Sequence, residues 1–128
     1  MELLRCKVRI ALLWVFMAVA MAAHSQFAVM TPGGLEKIIS EAETMGLGIM
    51  ALFWLVPLWL ALVSITVKGS SNRWVNFVLG IIFTILNIWH FVEHLSEPSI
   101  EQIMIVGSAV VVTALIAWYA WKLPKEEI

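Results

Sequence analysis

The chain has a single cysteine, Cys6, among its 128 residues. One thiol excludes an intramolecular disulfide, a C-x-x-C redox pair and a zinc site built from cysteines. Charge is also scarce, because only 13% of the residues are charged, against about 25% in ordinary soluble domains. The net charge is −1, and the eight Lys and Arg residues form no basic patch for nucleic acid. Gly33-Gly34 lacks the spacing and the Lys-Ser/Thr of a phosphate loop, which excludes that class of nucleotide-binding protein.

Hydrophobic residues make up 62% of the chain, and they lie in long stretches without charge. A soluble domain of this size could not bury so much apolar surface. The stretches without Asp, Glu, Lys or Arg are residues 10–35, 44–67, 74–92 and 102–121. Each has roughly the 20 residues that a helix needs to cross a bilayer. The sequence therefore predicts an integral membrane protein with four spans.

The loops and caps complete this prediction. We predict one membrane domain with spans over residues 8–30, 45–67, 74–95 and 100–121. Apolar residues at helical spacing after the first span predict a short amphipathic helix over about residues 34–43, on the outer membrane surface. Asn72 is the predicted N-cap of the third span, and Ser99 with Gln102 forms a predicted capping box for the fourth. Because the loops are short, the expected fold is an all-α, up-down four-helix bundle in the membrane.

The basic residues predict the orientation, since Lys and Arg favour the cytoplasmic side of membrane proteins. Seven of them lie before the first span, between the second and third, or after the fourth: Arg5, Lys7, Arg9, Lys68, Arg73, Lys122 and Lys125. The other two connections hold one base, Lys37, and five glutamates: Glu36, Glu41, Glu43, Glu97 and Glu101. We therefore expect a cell (inner) membrane protein with both termini in the cytoplasm.

The N-terminal segment also fits a second interpretation. Its three bases, the apolar run over residues 10–19 and Ala20-Met21-Ala22 resemble a signal peptide with an A-x-A cleavage site. The apolar stretch continues to Met30, however, and cleavage would leave three spans that conflict with the loop charges. We expect the first span to be retained.

Polar side chains recur along one face of the third span. Asn76, Gly80, Thr84 and Asn87 lie at helical spacing, and this stripe should face the bundle interior, since lipid cannot satisfy polar groups. Asn76, Thr84 and Asn87, together with Glu93, are the predicted ligand-binding residues. The alternative is that the stripe forms hydrogen bonds between helices.

All three histidines lie near the outer ends of spans. His24 is near the end of the first span, whereas His90 and His94 lie one helical turn apart in the third, with Glu93 beside them. An imidazole-rich site suits zinc, iron or copper, so His24, His90 and His94 are the predicted metal ligands. If the prediction holds, their ligand atoms should approach to about 3–4 Å. The alternative is interfacial hydrogen bonding. His90-Phe-Val-Glu93-His94 also matches the H-x-x-E-H pattern of inverzincin metalloproteases.

Three segments form a further pattern: Thr31-Pro32-Gly33 followed by Leu35, Asn72-Arg-Trp-Val-Asn76 followed by Gly80-Ile-Ile-Phe-Thr84, and an ending from Ala114 to Pro124 with Trp118 and Trp121. This pattern resembles an uncharacterised prokaryotic family of small four-span membrane proteins, a domain of unknown function. In layout the chain is also similar to the DoxX-like four-helix membrane proteins. The resemblance implies the four-span fold and a retained first span. It carries no activity and therefore no functional residues.

Three hypotheses about function stay open. The one we favour is a non-catalytic binding or accessory module, whose outer polar end contacts a small ligand, a metal ion, a membrane protein partner or a second copy. The second is a membrane oxidoreductase with a transition metal or haem held by the histidines and Glu93. The third is a proton or ion conductor along the stripe from Asn76 to His94. The sequence shows no nucleophile–base pair, phosphate loop or redox cysteines, which favours the first.

Overall fold

The computed structural model describes residues 2–97 and 99–123 of the chain. Within these residues it contains five α-helices: α1 (Glu2–Met30), α2 (Gly34–Met45), α3 (Leu47–Thr66), α4 (Gly69–His94) and α5 (Ile100–Lys122). Lys125, one of the predicted cytoplasmic bases, and Pro124, part of the pattern that resembles the four-span family, lie outside the described residues.

Four of these helices, α1, α3, α4 and α5, are long and apolar enough to cross a membrane. Their outward surfaces carry large apolar side chains, such as Trp59 and Trp89, which are 63% and 69% exposed. Lipid tails cover such surfaces in a bilayer, whereas water would make them costly. The prediction of an all-α, multi-pass membrane four-helix bundle is confirmed.

The bundle is built around α1 and α5. Helix α1 packs along α3 and α5, and α5 packs along α4, whereas α3 and α4 touch each other much less. Ile10, Trp14 and Met17 lie on one face of α1 at helical spacing, and each is at most 2% exposed. They meet Ile116 of α5, which is fully buried, in the same core cluster.

Helices α4 and α5 approach closely at Gly80. A Cβ atom at this position would lie 3.0 Å from the amide nitrogen of Ala117 and 3.2 Å from its Cα atom. Both are backbone atoms, which cannot turn away as a flexible side chain can. The missing side chain of Gly80 therefore sets the separation of the two helices, as small residues do in membrane bundles.

Helix α2 connects α1 to α3 and contacts both. Gly33 and Gly46 flank it with φ angles of 77° and 92°, a conformation that glycine adopts without strain. None of its residues is buried. The chain therefore forms the expected extra helix at the end of the bundle where α1 finishes and α3 begins.

One predicted N-cap is wrong, and the predicted capping box does not form its side-chain bond. Helix α4 begins at Gly69, so Asn72 lies inside the helix. Its side-chain amide donates two hydrogen bonds of 2.9 Å to carbonyl groups at the end of α3. Ser99 is the N-cap of α5 but makes no side-chain capping bond, and the Gln102 side chain bonds to α1. In both places a partner on a neighbouring helix replaces the local cap.

Candidate metal centre

The three histidines converge at one end of the bundle, where α1 and α4 finish and α5 begins. His24 lies about two turns before the end of α1, His94 ends α4, and His90 precedes it by one turn. One ring nitrogen of each residue lies within 4.8 Å of those of the other two. All three side chains are half-buried. We call this group the histidine cluster, and it consists of the residues that the sequence predicts as metal ligands.

His90 and His94 face each other because one helical turn separates them. Their Nε2 atoms lie 3.1 Å apart, and their ring centroids are 4.7 Å apart. Two nitrogens on a tetrahedral zinc ion, with bonds of about 2.0–2.1 Å, are about 3.3 Å apart. The pair thus already has close to the spacing that one shared ion requires.

His24 completes the cluster from α1. Its ring meets those of His90 and His94 edge to face, with centroid distances of 4.5 and 5.0 Å. On its other side, its Nδ1 atom lies 2.6 Å from Oε1 of Gln102, near the start of α5. The Gln102 amide also donates a 3.1 Å hydrogen bond to the main-chain carbonyl of His24. Three helices therefore define the position of the site.

The sequence prediction missed Gln102 as a site residue, because the capping-box pattern had already accounted for it. Gln102 is only 5% exposed, although its side chain is polar. It lies in the first turn of the fourth span, at the end of the bundle that carries the histidines. A polar residue at that position needs an internal partner, and this is the signal that could have identified it.

The Glu93 carboxylate bonds to a tryptophan and is not part of the histidine cluster. The side chain is exposed, and its Oε1 atom accepts a 2.8 Å hydrogen bond from the indole of Trp89, one turn earlier. Glu93 is three residues from His90, a spacing at which side chains are neighbours on a helix, but its carboxylate bonds to Trp89 instead. Over residues 2–97 and 99–123, the group of converging ligand atoms comprises the three imidazoles alone.

The remaining predicted ligand-binding residues have partners within the protein. The Oδ1 atom of Asn76 accepts a 2.7 Å hydrogen bond from the Trp14 indole. It also lies 3.0 Å from the hydroxyl of Ser64, whose nearer acceptor is the Leu60 carbonyl at 2.6 Å. Thr84 donates to the carbonyl one turn earlier in α4. The amide nitrogen of Asn87 has three partners on α1 and α5, at 3.3–3.6 Å. The contacts of Asn76 and Asn87 agree with hydrogen bonding between helices, whereas that of Thr84 lies within α4. A ligand-binding role for this stripe stays a prediction.

The chain matches no protein-family model, no curated protein and no solved structure. The resemblance to the small four-span membrane proteins therefore stays a prediction. A proposal about function depends on the geometry of the histidine cluster.

Proposed function

We propose that this protein is a membrane-embedded binding protein for a divalent transition metal ion, held by His24, His90 and His94. The observation that carries the proposal is the approach of three imidazole nitrogens from two helices to within 4.8 Å of one another. These are the only histidines of the chain, and all of them lie in this one cluster. Neutral imidazole is the commonest metal ligand in proteins and suits zinc and copper.

A metal ion also pairs with more of the imidazole lone pairs than the three rings can pair with among themselves. Each neutral imidazole has one N–H donor and one bare nitrogen that accepts. Between His90 and His94, a single proton serves the two Nε2 atoms that face each other. A cation at this position accepts the lone pairs of all three rings at once. This supports metal binding over a role limited to interfacial hydrogen bonds.

The ring contacts support a bare ion rather than a haem. The rings of His24, His90 and His94 touch one another, with centroids 4.5 to 5.0 Å apart, so no gap for a macrocycle separates them. Glu93, the carboxylate that an oxidoreductase or an inverzincin-type hydrolase would use, bonds to Trp89 instead. Three protein ligands leave a fourth position for an exchangeable water or anion. Catalytic zinc sites share this open position, so the preference for binding over catalysis rests on the Glu93 carboxylate, which bonds to Trp89.

The interior of the bundle supports binding over conduction. Trp14, Met17 and Phe83 belong to the apolar core cluster beside the polar stripe of α4, and each is at most 7% exposed. A conducting path would need polar or hydrated groups in their place. Contact of the outer polar end with a second copy or with another membrane protein stays a prediction.

We also propose that the histidine cluster faces the outside of the cell (inner) membrane. The support is the charge distribution. Arg5, Lys7 and Arg9 lie at the opposite end of α1 from His24. The linking helix α2, at the end of α1 that carries His24, holds three exposed glutamates and one lysine. Basic residues favour the cytoplasmic side, so the ion would enter the site from outside.

The proposal is tested by metal content. The full chain, purified in mild detergent and dialysed after loading with zinc or copper(II), should retain close to one ion per chain by mass spectrometry of the elements. The double variant His90→Ala/His94→Ala should retain almost none. Glu97→Ala, which removes an exposed potential ligand just beyond α4, serves as the matched control and should retain the ion. Equal metal content in the double variant, or none in the unaltered chain, would overturn the proposal.

A further inference from the structure

We infer that Gln102 is a positioning residue of the metal site, because it fixes His24 in the tautomer that keeps Nε2 free to bind an ion. The role in metal binding rests on the proposed function. The tautomer itself is a property of the metal-free protein and can be measured separately.

The inference follows from the two hydrogen bonds between Gln102 and His24. A main-chain carbonyl only accepts, so the Gln102 atom that lies 3.1 Å from the His24 carbonyl oxygen must be the NH₂ nitrogen. This contact distinguishes the amide nitrogen of Gln102 from its amide oxygen. The atom 2.6 Å from the His24 Nδ1 is therefore the amide oxygen.

The amide oxygen determines where the imidazole proton lies. It is an acceptor only, so Nδ1 of His24 must carry the proton in this hydrogen bond. A neutral imidazole has one N–H, and Nε2 consequently keeps its lone pair. Since Nδ1 is engaged by Gln102, Nε2 is the nitrogen that remains for a metal.

The surroundings make this arrangement persistent. Gln102 is 5% exposed, so water has little access to compete for its amide. Its two bonds to one residue hold both the imidazole and the backbone of α1. Metal-binding histidines usually donate their second N–H to a carboxylate or a carbonyl, which orients the ring and raises its basicity. Here the Gln102 amide oxygen is the acceptor of that second N–H.

The tautomer can be read directly by nitrogen NMR. The chain has only three histidines, so ¹⁵N-histidine labelling of the metal-free protein in detergent gives a simple spectrum. Long-range proton–nitrogen correlations distinguish a ring protonated at Nδ1 from one protonated at Nε2. We expect His24 in the Nδ1–H form. A His24 ring protonated at Nε2 would overturn the inference.

Two substitutions separate positioning from simple packing. Gln102→Met keeps the length of the side chain but removes the acceptor, so His24 should shift towards the Nε2–H form, and zinc affinity should fall about 10–100-fold. Gln102→Glu keeps an acceptor for Nδ1–H and should retain both the tautomer and zinc affinity within a few-fold. Unchanged tautomer and affinity in Gln102→Met would overturn the inference.

Thr113→Val is the matched control for helix packing. Thr113 is fully buried on the same helix and accepts a 3.3 Å hydrogen bond from α4. Thr113→Val removes this hydrogen bond, so it should weaken the contact between α5 and α4 without changing the His24 tautomer or the zinc affinity. A comparable fall of affinity in this control would mean that the loss in Gln102→Met reflects packing, which would overturn the positioning role. An Nδ1–H ring in a protein that binds no zinc would overturn the proposed function alone.

Discussion

The indole nitrogen of Trp14 donates a 2.7 Å hydrogen bond to Oδ1 of Asn76, which joins α1 to α4 inside the bundle. The Ser64 hydroxyl of α3 lies 3.0 Å from the same oxygen, although its nearer acceptor is the Leu60 carbonyl at 2.6 Å. Asn76 is fully buried, and its amide nitrogen donates back to Asn72. One side chain therefore links three of the membrane-spanning helices.

Replacing Asn76 should destabilise the bundle. In Asn76→Leu the buried N–H of Trp14 loses its acceptor, and no water in the bilayer core replaces it. We expect the free energy of unfolding to fall by about 1–2 kcal/mol, as for other buried groups left without a partner. Reversible unfolding in mixed detergent micelles measures this loss. In a double-mutant cycle with Trp14→Phe, the two changes should couple by about 0.6 kcal/mol or more. Strict additivity would contradict the linking role.

The contact at Gly80 gives a second prediction. Gly80→Ala places a Cβ atom against the backbone of Ala117, so α4 and α5 must move apart, at a cost of about 1–3 kcal/mol. Gly48→Ala in α3 is the matched control, because a Cβ there meets nothing within 4 Å. It should be neutral or slightly stabilising, since alanine favours helices more than glycine. The same unfolding assay compares them, and equal effects would refute the close approach.

Glu93 provides a third prediction, which separates the two interpretations of His90-Phe-Val-Glu93-His94. In the structure the carboxylate bonds to Trp89 and is not among the converging ligand atoms of the histidine cluster. Glu93→Gln should therefore leave zinc content and zinc affinity unchanged within about two-fold. Removing a group that supports metal ligands lowers metal affinity by about 10-fold or more. A fall of zinc affinity of that size in Glu93→Gln would show that Glu93 belongs to the metal site. Equilibrium competition with a coloured chelator measures the affinity.

The proposed orientation gives a fourth prediction. With Cys6 replaced by serine, single cysteines at two exposed serines report on opposite ends of the bundle: Ser40 on α2 and Ser71 near the start of α4. An impermeant maleimide added to intact cells should label Ser40→Cys, and should label Ser71→Cys only after the membrane is permeabilised. The reverse pattern would place the histidine cluster on the cytoplasmic side.

Much of the fold follows from the sequence because a bilayer allows few alternatives. In a bilayer, an apolar stretch of about 20 residues without charge satisfies its backbone hydrogen bonds by spanning the membrane as a helix. The convergence of His24 with His90 and His94 also follows, since short loops make α1 and α4 run parallel and bring their ends to the same side.

The finer contacts do not follow, because they depend on which helices become neighbours. Asn72 and Gln102 both fit local capping patterns, and both instead bond to a neighbouring helix. Glu93 lies between two predicted ligands in sequence, yet its carboxylate bonds to Trp89, one turn earlier. A sequence pattern records spacing along one helix, whereas these residues respond to the groups that a second helix brings beside them.

The most direct test of the account is X-ray absorption spectroscopy of the zinc-loaded protein in detergent. If His24, His90 and His94 share one ion, the spectrum should show three imidazole nitrogens at about 2.0–2.1 Å and one further light atom. His24→Ala should reduce the count to two imidazoles. A zinc ion with one imidazole or none, or a protein that retains no zinc, would contradict the account.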